Sequence, residues 1–303
     1  MRANCLVLAV ALPLLAGCLP YFKRDDGPKG KDLDRVSDTK ATPASLSRYL
    51  NKQSDLLTSV KARMAADVSA GGRAIAIDGT MACEKPKGFR LRANTIAGLS
   101  VDIGSNNDEF WFWIKQGDPY QFYCSYRELA DGKVAVPLPF QPEMVLVALG
   151  MAKYDPDGTG YELKDHKADN TLELIVSTTS PDGKSVKRSV LFRRTEEKRP
   201  GMPQVVGHIL RDASGKVLCE AKVTAVHVDR ETGAVVPSRM ELKWPSEKDR
   251  PSMKLMLDGI QVNTVTREDA GRFFVREPIP GVKAFDLARG RPDGESASSR
   301  SMR

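Results

Sequence analysis

Between residues 75 and 262 the apolar positions of this chain recur mainly with a period of two, as they do in half-buried strands. Ile75 and Ile77, then Phe89, Leu91 and Ala93, then Leu99, Val101 and Ile103 alternate with more polar neighbours. Ser105-Asn106-Asn107-Asp108 reads as a turn, and a strand over Glu109–Lys115 follows it. The same alternation predicts strands over 120–126, 160–166, 171–178, 184–194, 204–211, 216–228, 234–244 and 252–262. Ser180-Pro181-Asp182-Gly183, Ala213-Ser214-Gly215-Lys216 and Glu231-Thr232-Gly233 supply turn chemistry between them. Links this short force neighbouring strands to pair antiparallel.

Two stretches carry a helical period instead. Leu46, Tyr49, Leu50, Leu56, Leu57, Val60 and Met64 follow Ser45, a candidate N-cap, and precede Gly71-Gly72, which predicts an amphipathic helix over Leu46–Val68. Pro139 and Pro142 introduce Glu143–Ala152, whose Met144, Val145, Leu146, Val147 and Leu149 suit a short helix buried on most sides. The fold class is therefore mainly β, a sheet of about 11–12 antiparallel strands with helical insertions. So many strands in one twisted sheet tend to curl, and the helices are the natural cover for the concave face. Phe89, Leu91, Val101 and Ile103 have the parity of that face. In Phe110-Trp111-Phe112-Trp113-Ile114 both faces are apolar, so either Trp111 and Trp113 or Phe110 and Phe112 line a cavity while the other pair packs beneath cover. The alternative is a strand central in a thick core.

The N-terminus adds a targeting signal. Met1-Arg2 precedes an apolar run over residues 6–16, too short to span a bilayer but suited to a signal-peptide core. It ends in Leu15-Ala16-Gly17-Cys18. Small residues before the scissile bond thread a peptidase cleft, and the thiol directly after it is an acyl acceptor. This pattern resembles the lipobox of bacterial lipoproteins, which implies cleavage between Gly17 and Cys18 and lipidation of Cys18. Several acyl chains on one residue anchor far more firmly than one. Leu19 in place of an aspartate implies delivery to the outer membrane, on its periplasmic face. Residues 18–43 then read as a lipidated flexible tether, rich in charge, Gly and Pro, with the fold over 44–285 and a fraying tail over 286–303.

Composition changes this picture little. Hydrophobic residues make up 41% and charged residues 28% of the 303, ordinary globular usage that excludes wholesale disorder or a multi-span membrane protein. The formal charge of +7 is spread among interspersed positive and negative residues, so it reads as a solvated surface and not as a nucleic-acid footprint. A weak attraction to anionic headgroups is compatible with it.

The order of elements also resembles the LolA/LolB-like lipoprotein carriers and receptors of bacterial envelopes. Residues 137–150, PLPFQPEMVLVALG, are similar to that family's insertion helix, without its tryptophan. Arg90-Leu91-Arg92-Ala93 with Ile96–Val101 resembles its strand and turn, and 236–242 with 253–259 its closing hairpin. The resemblance spans roughly 45–265 and, with Cys18, favours the lipidated receptor branch. It implies an incomplete antiparallel barrel whose helices lid an apolar cavity. It also implies non-catalytic binding of acyl chains of lipoproteins or other lipids, with a soluble periplasmic carrier among the implied partners.

A search for catalytic chemistry finds no support. His166, His208 and His227 have no metal-ligand spacing, and no nucleophile elbow or phosphate loop is present. Asp155-Pro156-Asp157-Gly158 lacks the remaining calcium ligands and reads as a turn. The basic residues from Lys187 to Arg199 read as a solvated face. No cofactor is expected. Once Cys18 is lipidated and Cys5 removed, Cys83, Cys124 and Cys219 remain, so at least one thiol stays free; Cys83 and Cys124 are the pair worth testing. Two classes of function follow: a lipid-binding envelope lipoprotein, or an interaction protein using the same fold as a packed platform.

Overall fold

The structure, a computed structural model, describes residues 36–37, 40–95, 98–115, 117, 119–132, 134, 142–194 and 204–293. The lipobox with Gly17 and Cys18, and most of the tether, lie outside the described residues. Helix α1 spans Pro43–Asp55 and begins at a capping box: the Thr42 hydroxyl accepts from the Ser45 N–H, and Ser45 Oγ accepts from the Thr42 N–H. Ser45 is thus the third helical residue, and Thr42 is the cap.

The expected helix over Leu46–Val68 ends at Asp55, and its second half is strand β1, Ser59–Ala70. Val60, Met64 and Val68 fit a four-residue spacing, but Ala62 and Ala66 are buried with them, which completes a period of two. Pairing decides the matter, because β1 is hydrogen-bonded on both sides, to β2 (Arg73–Glu84) and to β13 (Ser252–Val262). Tertiary pairing overrides a weak local preference.

The other strands fall close to their expected places. They are β3 (Gly88–Thr95), β4 (Gly98–Ser105), β5 (Glu109–Ile114), β6 (Tyr120–Ser125), β7 (Glu162–His166), β8 (Thr171–Thr179), β9 (Ser185–Arg193), β10 (Val205–Asp212), β11 (Val217–Val228) and β12 (Val235–Lys243). Two short strands follow, β14 (Lys283–Asp286) and β15 (Arg291–Pro292). All 15 form one open sheet in the order β15-β14-β6-β5-β4-β3-β2-β1-β13-β12-β11-β10-β9-β8-β7. The count exceeds the expected 11–12 by β1, β14 and β15. The sheet is antiparallel throughout except where β14 pairs parallel with β6. β14 and β15 also carry ordered structure past residue 285, into the stretch expected to fray, because Asp286 is buried and caps the intervening turn.

The sheet is strongly curled. Eight strands separate β5 from β9, roughly 40 Å in a flat sheet, yet Phe110 and Val186 border one cleft. Two helices occupy the concave side. Leu46 and Leu50 of α1 pack with Tyr154 on Leu172, Leu174, Val190 and Phe192. Helix α3 (Pro142–Ala148) inserts Val145, Leu146 and Ala148 into the main core and ends at Gly150, whose φ of +81° is a left-handed helix end. A short helix, α2 (Tyr126–Ala130), follows β6.

The convex side of β3–β6 is covered by the segment after β13, which contains α4 (Arg267–Phe273). Arg90 bonds Asp102 at 2.8 Å and donates to the carbonyls of Phe273 and Val275. Arg92 pairs with Glu277 at 3.0 Å, and Gln121 donates to the Glu277 carbonyl. At the opposite margin of the sheet, the Gln204 amide brackets the Val36 backbone, accepting its N–H at 2.9 Å and donating to its carbonyl at 2.8 Å. Val36, within the stretch expected to be tether, is therefore docked on the fold.

Candidate functional site

The curled sheet leaves a cleft of about 800 Å³ beside the N-terminal end of α3. Its walls come from distant parts of the chain. Phe110 on β5, Tyr126 and Leu129 of α2, and Pro142 and Met144 of α3 form one side; Val186, Leu210, Leu218, Cys219 and Trp244 form the other. An adjoining lobe of about 310 Å³ shares Tyr126, Glu143, Met144, Val186 and Leu210, and is bounded by Lys87 and Arg188. A total in this range suits a small-molecule or single-chain amphiphile site. The rim is polar, with Ser180, Asp182, Lys184, Asp212 and Ser214 on the β8–β9 and β10–β11 turns.

Local partners account for most rim charge. Burial opposes ionisation of Asp182, but Lys184 at 2.6 Å and the Ser180 hydroxyl outweigh it and hold the carboxyl below its usual range. The Ser214 hydroxyl, with the N–H groups of Ser214 and Lys216, does the same for Asp212. Inside the cleft, burial and the neighbouring Glu143 push the Tyr126 phenol upward, so it stays a donor. Burial, helped by Glu220, lifts the Cys219 thiol to about 12, which leaves it protonated and unreactive.

The eight expected cavity residues separate into three groups. Phe110 lines the cleft. Phe89 and Leu91 face the concave side but meet α3, across a gap of only about 10 Å³ shared with Val145, Ala148 and Met240. Val101, Ile103 and Phe112 belong to the same core. Trp111 and Trp113 stand on the opposite face, and the indole of Trp111 is fully buried 5.1 Å from Arg90. A Cβ at Gly104 would lie 2.2 Å from that ring, so glycine is required for the indole to lie flat over β4. Of the two alternatives for β5, the Phe face is the inner one. The helix expected to lid the cavity instead fills its centre.

Trp244, Leu210, Leu218 and Val186 were not anticipated. The signal for Trp244, Leu210 and Val186 is parity, since each continues the inward face of its strand to the end bordering a turn; Leu218, the extra residue of a bulge in β11, has the opposite parity and gave none. Nothing in the sequence shows that these ends meet α2 and α3.

None of the three histidines lines the cleft or its lobe. His166 bonds Glu173 on the outer face, His208 lies buried inside, and His227 is near the end of β11. No cluster among the described residues could hold a metal ion. Cys83 on β2 and Cys124 on β6 are free and buried, with three strands between them, so they are not the neighbours the sequence suggested.

No family model and no curated protein matches the chain. Solved structures similar to it include a LolA superfamily protein from Nitrosomonas europaea (10% identity, 78% of this chain and 99% of that one, TM-score 0.49). Others are a domain described as outer membrane lipoprotein-sorting from Vibrio parahaemolyticus (11%, 76% and 96%, 0.49) and a DUF1329 family protein from Desulfovibrio piger (9%, 75% and 94%, 0.46).

Proposed function

We propose that this chain is a membrane-anchored, periplasm-facing lipoprotein that takes acyl chains of lipoproteins or other lipids into its cleft, without catalysis, in lipoprotein sorting or lipid handling. The observation that carries this reading is the cleft of about 800 Å³ with a floor of Phe110, Leu129, Met144, Leu210, Leu218 and Trp244. Burying one methylene is worth about 0.8 kcal/mol, so ten give about 8 kcal/mol, the scale of micromolar binding before ordering costs. Trp244 is the natural reporter, since Trp111 and Trp113 lie across the sheet from the cleft. Titration with an acylated peptide should give a saturable emission change that the deacylated peptide does not. Trp244→Phe should abolish the signal, and Leu210→Asn should weaken binding by about tenfold, the cost of removing an apolar wall group.

The second reading, a packed platform without a ligand, is favoured by one observation: α3 meets Phe89 and Leu91 with almost no space between them. No saturable change, with no lipid retained on purification, would decide for the platform.

A further inference from the structure

The smaller lobe of the cleft holds an unmatched charge. Arg188 stands on the inner face of β9 between buried Val186 and Val190, opposite Leu210 of β10 and Val176 of β8. Two rim acids are engaged elsewhere, Asp182 with Lys184 and Asp212 within its own turn, while Glu143 borders the lobe beside Tyr126 and Glu247 borders only the larger cleft. Among the described residues no carboxylate forms an ion pair with Arg188. A half-buried guanidinium among apolar side chains is costly unless an anion satisfies it. Its charge is felt deeper in the fold, where after burial it is the second cause that keeps His208 neutral. A second cation borders the same lobe, Lys87, whose Nζ sits 4.0 Å from the Tyr126 ring centroid. Thr178 adds a hydroxyl donor. A guanidinium fork matches the oxygens of phosphate and carboxylate groups, and the neighbouring donors would complete their coordination.

We propose that this lobe seats the anionic head group, phosphate or carboxylate, of an acyl ligand, with Arg188 as the residue that recognises it and Lys87 as the second cation. The inference rests on the acyl-binding reading: the tail lies along the apolar floor of the larger lobe, and the head occupies the smaller one. An unidentified lipid is thereby narrowed to an anionic or zwitterionic amphiphile.

Calorimetric titration of the chain with dodecyl phosphate, laurate and monolaurin, each below its micelle concentration, tests this, with inorganic phosphate as a fourth probe. The two anionic amphiphiles should bind at least tenfold more tightly than neutral monolaurin. Arg188→Gln should abolish that preference, while Arg188→Lys keeps part of it. Lys87→Gln should reduce the preference about threefold, and it serves as the test if the Arg188 variants do not fold. Equal affinity for charged and neutral probes, or a preference unaffected by these substitutions, overturns the head-group assignment and leaves acyl binding standing. Inorganic phosphate binding as tightly as dodecyl phosphate identifies a free-phosphate site and overturns it as well. Failure of all three amphiphiles to bind overturns the acyl reading itself.

Discussion

His208 is 2% exposed on the inner face of β10, and burial, then the charge of Arg188, lowers its pKa to about 4. In an unfolded chain the ring titrates near 6.5. As the pH falls, the unfolded chain therefore takes up the proton first. The contribution of neutral His208 is complete above about pH 6.5 and is lost progressively as the pH drops towards 4. Between pH 7 and 4.5 the loss amounts to roughly 2 kcal/mol. His208→Leu removes the titration and keeps an apolar group in place. Denaturant unfolding at both pH values should show the variant losing less stability than the wild type; equal losses would place the acid sensitivity elsewhere.

Among the elements, the segment after β13 is held to the convex face by a buried ion pair. Arg90 and Asp102 are 5% and 0% exposed, and burial disfavours the charged form of each despite their mutual attraction. Such a pair adds little net stability, but losing one partner strands the other. Arg90→Leu alone should cost about 3–5 kcal/mol. The Arg90→Leu, Asp102→Leu double variant should recover much of that, as a shift in the denaturant midpoint reports. The single variant should also speed trypsin cleavage at the already exposed Arg267 and Arg272, since it frees their backbone by removing the contacts to Phe273 and Val275. None of this strap was legible in the sequence. β14 joins β6 across about 160 residues in parallel, and a four-residue strand has too short a pattern to announce itself. Most of β2–β13 were legible because one face of the strand is more buried than the other, while β5, buried on both faces, announced itself by its run of aromatic residues. β1 was misread because Val60, Met64 and Val68 satisfy two periods at once. The cleft was hidden for another reason: it is made of strand ends and two short helices that curvature alone brings together.

For the molecule as a whole, the proposed anchoring rests on Cys18, outside the described residues. Cys18→Ser should leave an unlipidated precursor, because serine lacks the thiol that receives the diacylglycerol, and metabolic palmitate labelling should fall to background. Labelling at the wild-type level would remove the anchor from the proposal. The bracket that Gln204 places on Val36 then acquires a geometric meaning. It lies before the first residue of β10, whereas the turn bordering the cleft follows the last, eight residues and about 25 Å away. With Cys18 acylated as proposed, the tether would join the domain about 25 Å from the cleft opening and leave that opening clear of its own path.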